Sequence, residues 1–125
     1  MSEYEINKSK FQSTVSKSII QNRTKKIEER KRMLQNDLKK AVDILTHHYS
    51  VRRIILFGSL AAGRISVSSD IDLIVEGLGD RFLKALGHCM RECKTNVDIK
   101  PLEDLIPRFK HAVLEKGEII YESGK

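Results

Sequence analysis

Two aspartates, Asp70 and Asp72, are the residues of this chain best suited to chemistry. The apolar residues 73–75 that follow them are typical of a buried β-strand. Because side chains alternate along a strand, both carboxylates are predicted to point the same way. Two adjacent carboxylates repel each other and are costly to bury. A divalent cation between them removes that cost, so the spacing predicts a metal site.

A lone Asp-x-Asp at a strand edge is often only solvated or capping a turn, and the Gly58-Ser59 turn argues against that simpler interpretation here. The turn directly follows the apolar run 54–57 and precedes Asp70 by ten residues. Glycine allows close backbone approach, and free amides beside a hydroxyl form a cradle for anions. Magnesium favours one or two carboxylates together with phosphate oxygens. The combination favours a site for a metal-bound polyphosphate.

The same stretch has the Gly-x-x-x-x-Gly spacing of a P-loop between Gly58 and Gly63. Arg64 and Ile65 stand where a P-loop carries Lys and Ser or Thr. Without that hydroxyl, magnesium would lack its usual ligand, so the P-loop interpretation is rejected.

The pattern Gly58-Ser59, ten residues, Asp70-Ile71-Asp72 resembles the signature of the polymerase-β-like nucleotidyltransferase superfamily. More narrowly, it is similar to the minimal nucleotidyltransferases (MNT) that are antitoxin partners of HEPN toxins. The resemblance covers about residues 50–122. It implies an α/β (α+β) fold with a small mixed β-sheet and helices packed on one face.

The resemblance also implies a site with two Mg²⁺ ions and ATP as substrate. Its catalytic and metal-binding residues would be Asp70, Asp72 and, as the third carboxylate on a neighbouring strand, Asp98. An ordinary edge-strand aspartate is the alternative for Asp98. The nucleotide-binding residues would be Gly58, Ser59, Arg64 and Lys100.

One departure concerns the arginines that many relatives carry before the second glycine. This chain has Leu60 and Ala62 there, and Arg64 follows the glycine instead. Which cation neutralises the triphosphate is therefore left open.

The function that the resemblance implies is transfer of AMP from ATP to a hydroxyl, expected on a tyrosine of a HEPN RNase toxin. We expect 125 residues to leave no room for a second lobe that holds an acceptor, and this expectation favours a protein partner. Two alternatives are an antitoxin that acts by contact alone and a small-molecule nucleotidyltransferase working as a homodimer.

Composition limits the setting. The chain has 125 residues and a net charge of +6, and most of the excess positive charge lies before residue 51. We expect one catalytic domain, no membrane association and a cytoplasmic location. Cys89 and Cys93 are expected to be reduced core residues. The basic arm has few aromatic residues, so direct nucleic-acid binding is disfavoured against a solvated face or a protein partner.

Helical periodicity divides the chain into an N-terminal arm, 1–48, and a nucleotidyltransferase domain, 49–125. Residues 1–22 predict a short amphipathic segment that orders on assembly, and 24–48 a long helix capped by Thr24 and packed partly on the core. We expect the projecting turns to serve self-association or toxin binding. Strands are predicted at 51–57, 70–76, 96–100 and 118–121. Helices are predicted at 60–64, at 81–93 with Asp80 as cap, and at 102–116 with Pro107 in an early turn or splitting the segment. On the helix at 81–93, the residues expected to face inward are Phe82, Leu83, Leu86, Cys89, Met90 and Cys93.

Overall fold

The computed structural model describes the backbone of residues 2–124 and the side chains of residues 24–124. It contains three α-helices and one four-stranded sheet. The helices are α1 (Ser2–His47), α2 (Phe82–Glu92) and α3 (Pro107–Lys116). The strands are β1 (Arg53–Phe57), β2 (Ile71–Glu76), β3 (Val97–Pro101) and β4 (Glu118–Glu122). Short 3₁₀ turns, Gly79–Arg81 and Leu102–Asp104, precede α2 and α3.

The sheet is mixed, with the order β3-β2-β1-β4. β1 pairs antiparallel with β2 and β4, and β2 pairs parallel with β3. The parallel pair is made possible by α2, which carries the chain back to the start of β3. The predicted α+β class with a small mixed sheet is confirmed.

Side chains from the two sheet faces form two separate apolar clusters. Alternate strand residues such as Ile54 and Leu73 pack with α1 and α2 in the larger cluster. Ile55 and Ile74 point the other way and pack with Leu102 and with Val113 of α3. The predicted placement of helices on one face therefore holds for α1 and α2, whereas α3 lies against the opposite face.

Helix α1 extends well beyond the sheet. At about 1.5 Å per residue, its 46 residues span about 69 Å. Among the described side chains, the first that is fully buried is Leu34, and Ala41 and Leu45 follow it on the same stripe. The predicted helix start at Thr24 is wrong, because the helix runs continuously through that residue.

The prediction of an amphipathic segment at residues 1–22 depends on side chains that lie outside the described ones. The division into an arm and a domain at residues 48 and 49 stays a prediction. The burial of Leu34, Ala41 and Leu45 shows that the second half of α1 belongs to the core.

Two predicted helix details are wrong. Residues 60–64 form hydrogen-bonded turns rather than a helix, with Arg64 N–H donating to the Ser59 carbonyl at 2.9 Å. Residues 60–64 therefore supply no helix N-terminus to the Gly58 turn. Asp80 lies inside the 3₁₀ turn and makes no capping hydrogen bond to α2. Pro107 occupies the first turn of α3, where its missing N–H costs nothing.

Among the residues predicted to face the core from α2, Cys89 is buried but Leu83 and Met90 are exposed. Burial raises the pKa of the Cys89 thiol to about 12, and burial likewise raises that of Cys93 to about 11. Both thiols are free, as predicted, and are protonated at neutral pH. None of the described helices combines the length and hydropathy that a membrane span requires.

Candidate active site

The central feature of the site is a pair of carboxylates on neighbouring strands. Asp72 of β2 and Asp98 of β3 occupy opposite positions in the parallel register. Both lie between residues that pack into the larger cluster, Ile71 and Leu73 on β2, and Val97 and Ile99 on β3. Alternation therefore directs the two carboxylates to the opposite face of the sheet. There they lie side by side near the end of β1.

The Gly58 turn is packed directly against Asp72. Phe57, the last residue of β1, is paired with Asp72. The backbone of Gly58 has a φ of +82°, which favours glycine, and a Cβ built on Gly58 would collide with the Asp72 carboxylate. Glycine is thus required here for two reasons, conformation and space. The turn and the carboxylate are therefore in direct contact, and their roles in one binding site stay a prediction.

The electrostatics of Asp72 set it apart from an ordinary surface carboxylate. Its pKa is raised, mainly because burial disfavours the charged form. Lys100 opposes the rise, whereas the charges of Asp98 and Asp70 add to it. The contributions of Asp70 and Asp98 indicate that three carboxylates share this region. Asp72 at the centre lacks an ion-pair partner among the described residues.

The two outer carboxylates each have a cationic partner. Arg30 of α1 donates from Nη2 to Asp70 Oδ1 at 3.0 Å and from Nε to the Ser69 carbonyl at 2.9 Å. Lys100 contacts Asp98 on the same strand. Lys100 therefore neutralises a carboxylate in this conformation, and its predicted contact with phosphate stays a prediction.

Oxygen-rich donors of this kind fit a hard cation such as magnesium. A divalent cation beside Asp72 would stabilise its charged form and so lower its raised pKa, and Asp98 lies beside Asp72 in register. Within residues 24–124 no group of three or more His, Cys, Asp or Glu side chains already converges on one point. The donor types fit the ion, and the metal-binding roles of Asp70, Asp72 and Asp98 stay predictions.

Beside these carboxylates, a cavity of about 490 Å³ opens at the end of β1. This volume lies within the usual range for small-molecule sites, about 300–1,000 Å³. Gly58, Ser59 and Arg64, all predicted to bind nucleotide, lie in its wall. Lys116 at the end of α3 lines the same cavity. Three of the four predicted nucleotide-binding residues therefore lie together in the cavity wall, and the fourth, Lys100, lies on β3 outside it.

A small hydroxyl network fixes the loop between the turn and β2. The Ser59 hydroxyl donates to Ser69 Oγ at 3.2 Å, and the Ser66 amide donates to the same oxygen at 2.8 Å. The network connects the Gly58-Ser59 turn to the residue that directly precedes Asp70. Ser69 is buried, so this connection is shielded from water.

Two residues of the site were missed in the sequence, Arg30 and Lys116. Arg30 lies four residues before Leu34 on the buried stripe of α1, and a charged residue in such a stripe was a usable signal. For Lys116 no sequence signal existed, because its place in the cavity depends on how α3 packs. Both residues add positive charge to that of Arg64 and Lys100, the two cations that the sequence suggested.

A sheet of this topology with in-register carboxylates beside a glycine turn is the arrangement expected of a nucleotidyl-transfer enzyme. The family model "Polymerase beta, Nucleotidyltransferase" matches residues 39–125. The chain therefore belongs to the polymerase β nucleotidyltransferase family. The match begins inside α1, in agreement with the burial of its second half. No curated protein matches the chain.

Solved structures with a similar fold include toxin–antitoxin complexes. A toxin–antitoxin with AMP-PNP has a TM-score of 0.57 at 20% identity, covering 68% of this chain and 73% of that chain. A mutant of the toxin–antitoxin MntA-HpeT has a TM-score of 0.57 at 18% identity, covering 69% and 73%. The tri-AMPylated Shewanella oneidensis HEPN toxin in complex with MNT antitoxin has a TM-score of 0.55 at 19% identity, covering 72% and 73%. At these identities the likeness is evidence of a shared fold, and the predicted similarity to MNT proteins is confirmed at that level.

Proposed function

We propose that this chain transfers AMP from ATP to a hydroxyl group of a HEPN toxin, and thereby neutralises the toxin. The observation that carries the proposal is the pairing of Asp72 with Asp98 beside Gly58. It joins two carboxylates to a turn and a cavity of nucleotide size. The fold neighbours include a complex with AMP-PNP and one with an AMPylated HEPN toxin, which supports this choice of substrate and acceptor.

The reaction is an in-line displacement at the α-phosphorus. The acceptor oxygen forms a bond to phosphorus, the bond to the β-phosphate oxygen breaks, and pyrophosphate leaves. Asp70, Asp72 and Asp98 would hold Mg²⁺, which, when bound, activates the hydroxyl and stabilises the leaving group. Asp98, at the exposed edge of the sheet, would complete the ion on the nucleophile side or accept the hydroxyl proton. Gly58 and Ser59 orient the phosphates in the cavity.

We expect the acceptor hydroxyl to be carried by a partner, because the described walls of the cavity, with Gly58, Arg64 and Lys116, are suited to the phosphates of the nucleotide. We propose that the part of α1 before Arg30 contacts that partner or a second copy of the chain. Among the described residues of this 46-residue helix, Arg30 is the first that hydrogen-bonds to the core, and residues 24–26 are exposed, which supports an arm that projects from the sheet. The arm division at residues 48 and 49 belongs to the same proposal.

The test is transfer of label from α-labelled ATP, with Mg²⁺ and a purified HEPN partner. We expect label on the partner with the unaltered chain. Asp72→Asn should lower the rate at least about a thousandfold, because removing a metal ligand costs several kcal/mol of transition-state stabilisation. Asp104→Asn is the matched control, since Asp104 is exposed in a 3₁₀ turn and should transfer normally.

The other outcomes of this experiment decide between the proposed function and its alternatives. Full transfer by Asp72→Asn would overturn the site. Label on a small acceptor but never on protein would indicate a small-molecule enzyme. A stable complex without label in any condition would indicate an antitoxin that acts by contact alone.

A further inference from the structure

The cavity at the end of β1 is lined by two cations that come from distant parts of the chain. Arg64 follows the Gly58 turn, and Lys116 is the last residue of α3. The other lining residues are apolar or neutral, namely Phe57, Gly58, Ser59, Ala61 and Ala62. No carboxylate lines the cavity in the described part of the chain. Its wall is therefore electropositive, although the neighbouring strands carry acidic residues.

Neither cation is already neutralised. The ion pairs among residues 24–124 do not include Arg64 or Lys116. Glu115, the acidic neighbour of Lys116, pairs with His111 one turn earlier. Several amides of the turn itself, including that of Arg64, donate to carbonyls within the turn. Positive charge for an anion in this cavity must therefore come largely from the two side chains.

Lys116 is held at the cavity by the packing of the residue after it. Gly117 ends α3, and its amide donates to the Val113 carbonyl at 2.8 Å. A Cβ on Gly117 would press on the Ile55 side chain and the Val113 carbonyl. The following residue, Glu118, pairs with Leu56 of β1. The end of α3 is thus fixed against the strand that leads into the Gly58 turn.

From this arrangement we infer that Lys116, together with Arg64, binds the terminal phosphates of the nucleoside triphosphate and selects triphosphates over monophosphates. The inference rests on the proposed function, because it assigns the same cavity to the nucleotide. It names the cations that neutralise the triphosphate, which the sequence left open. Lysine binds phosphate as a point charge, and arginine adds directed donors. The alternative is a purely structural role, in which the charge of Lys116 only complements the helix dipole at the end of α3.

The test is a set of binding titrations at fixed Mg²⁺ and ionic strength with a non-hydrolysable ATP analogue, ADP and AMP. For Lys116→Met we expect Kd for the triphosphate to rise about tenfold, the loss typical of one charge-assisted hydrogen bond. Kd for AMP should change less than about twofold, since AMP lacks the terminal phosphates. Lys116→Arg should retain most of the affinity. Lys110→Met, on the same helix but outside the cavity wall, is the matched control.

Unchanged triphosphate affinity in Lys116→Met would overturn the inference, and so would an equal loss for all three nucleotides. A lower melting temperature with unchanged Kd would assign Lys116 to the helix dipole and would also overturn it. Failure of the proposed function is distinguishable. If the triphosphate binds through Lys116 but label never reaches an acceptor, the inference stands and the transfer proposal falls. If label is transferred but the Kd for the triphosphate is unchanged in Lys116→Met, the transfer proposal stands and the inference falls.

Discussion

Two aspartates that are both withdrawn from solvent have opposite surroundings, one at the junction of α1 with β3 and one at the site. Asp37 of α1 is 1% exposed, and its Oδ2 accepts hydrogen bonds from the amides of Lys94 and Thr95 and from the Thr95 hydroxyl. Burial by itself would raise the pKa of Asp37. The Thr95 and Lys94 hydrogen bonds and the nearby Lys40 outweigh burial and lower it. Asp37 is thus stabilised in its charged form.

Among the residues whose side chains are described, none donates a hydrogen bond to the Asp72 carboxylate. Its neighbours are Gly58, which leaves no room for a side chain, and the carboxylates Asp70 and Asp98, which raise its pKa further. The comparison shows how a structural carboxylate differs from one available for binding. The charge of the first is satisfied by hydrogen bonds within the fold. The charge of the second is only partly offset by Lys100, which is itself paired with Asp98, and it is left available to a bound cation.

The largest stability effect should separate these two carboxylates. Asp37→Ala should lower the free energy of unfolding by about 2–4 kcal/mol, because it leaves two amides and a hydroxyl without their buried acceptor. Asp72→Asn should leave the free energy of unfolding unchanged or raise it, because it removes a partly buried charge among like charges. Urea denaturation of both variants measures the difference. A larger loss for Asp72→Asn than for Asp37→Ala would invalidate the distinction.

A smaller effect is expected at the turn, where two glycines form a matched pair. Gly58 and Gly63 have φ values of +82° and +71°, but only Gly58 has an atom within 4 Å of a built Cβ. Gly63→Ala should cost about 1 kcal/mol of backbone strain, and Gly58→Ala should cost about 1–2 kcal/mol more. Only Gly58→Ala should also reduce label transfer, because it displaces the Asp72 carboxylate. Equal losses in both variants would show that the carboxylate is not held against the turn.

The smallest effect is on the pH dependence of stability. The folded pKa of Asp37 lies below its unfolded value, so its contribution is present above the ordinary aspartate pKa of about 3.9 and is lost on acidification through the folded value. For Asp72 the folded pKa is raised, so the folded state binds more protons and stability falls as pH rises through that window.

These signs are tested by measuring the unfolding free energies of Asp37→Asn and Asp72→Asn against the unaltered chain. The measurements run from about pH 3 to pH 7, a range that includes the ordinary aspartate pKa of about 3.9. The deficit of Asp37→Asn should grow with rising pH, whereas the relative stability of Asp72→Asn should increase. Slopes of the same sign for both would contradict the assignment of their surroundings.

Much of the fold was predictable because its signals are local. The apolar runs at 54–57 and 73–75 identified β1 and β2, and alternation in 96–100 identified β3. The Gly58 turn and the Asp72 carboxylate, singled out together in the sequence, are in contact in the fold, whereas their shared role in binding stays a prediction. Strand alternation depends only on backbone geometry, so a short stretch of sequence contains the information.

The errors occurred where local signals compete with packing. Thr24 has the chemistry of a helix cap, but α1 passes through it. Residues 60–64 favour a helix by composition, yet the turn closes on the carbonyls of Gly58 and Ser59 instead. Leu83 and Met90 have apolar side chains but lie outside the buried stripe of α2. In each case the sequence was compatible with two structures.

The sequence by itself determined the class of the sheet, the position of the acidic pair and the family to which the chain is similar. Only the tertiary structure decided which cations meet those acids: Arg30 reaches Asp70 from forty residues away, and Lys116 reaches the cavity through the packing of Gly117 against β1. The reason is physical. Alternation along a strand is a property of neighbouring residues, whereas a contact between distant residues exists only after helices and sheet have packed.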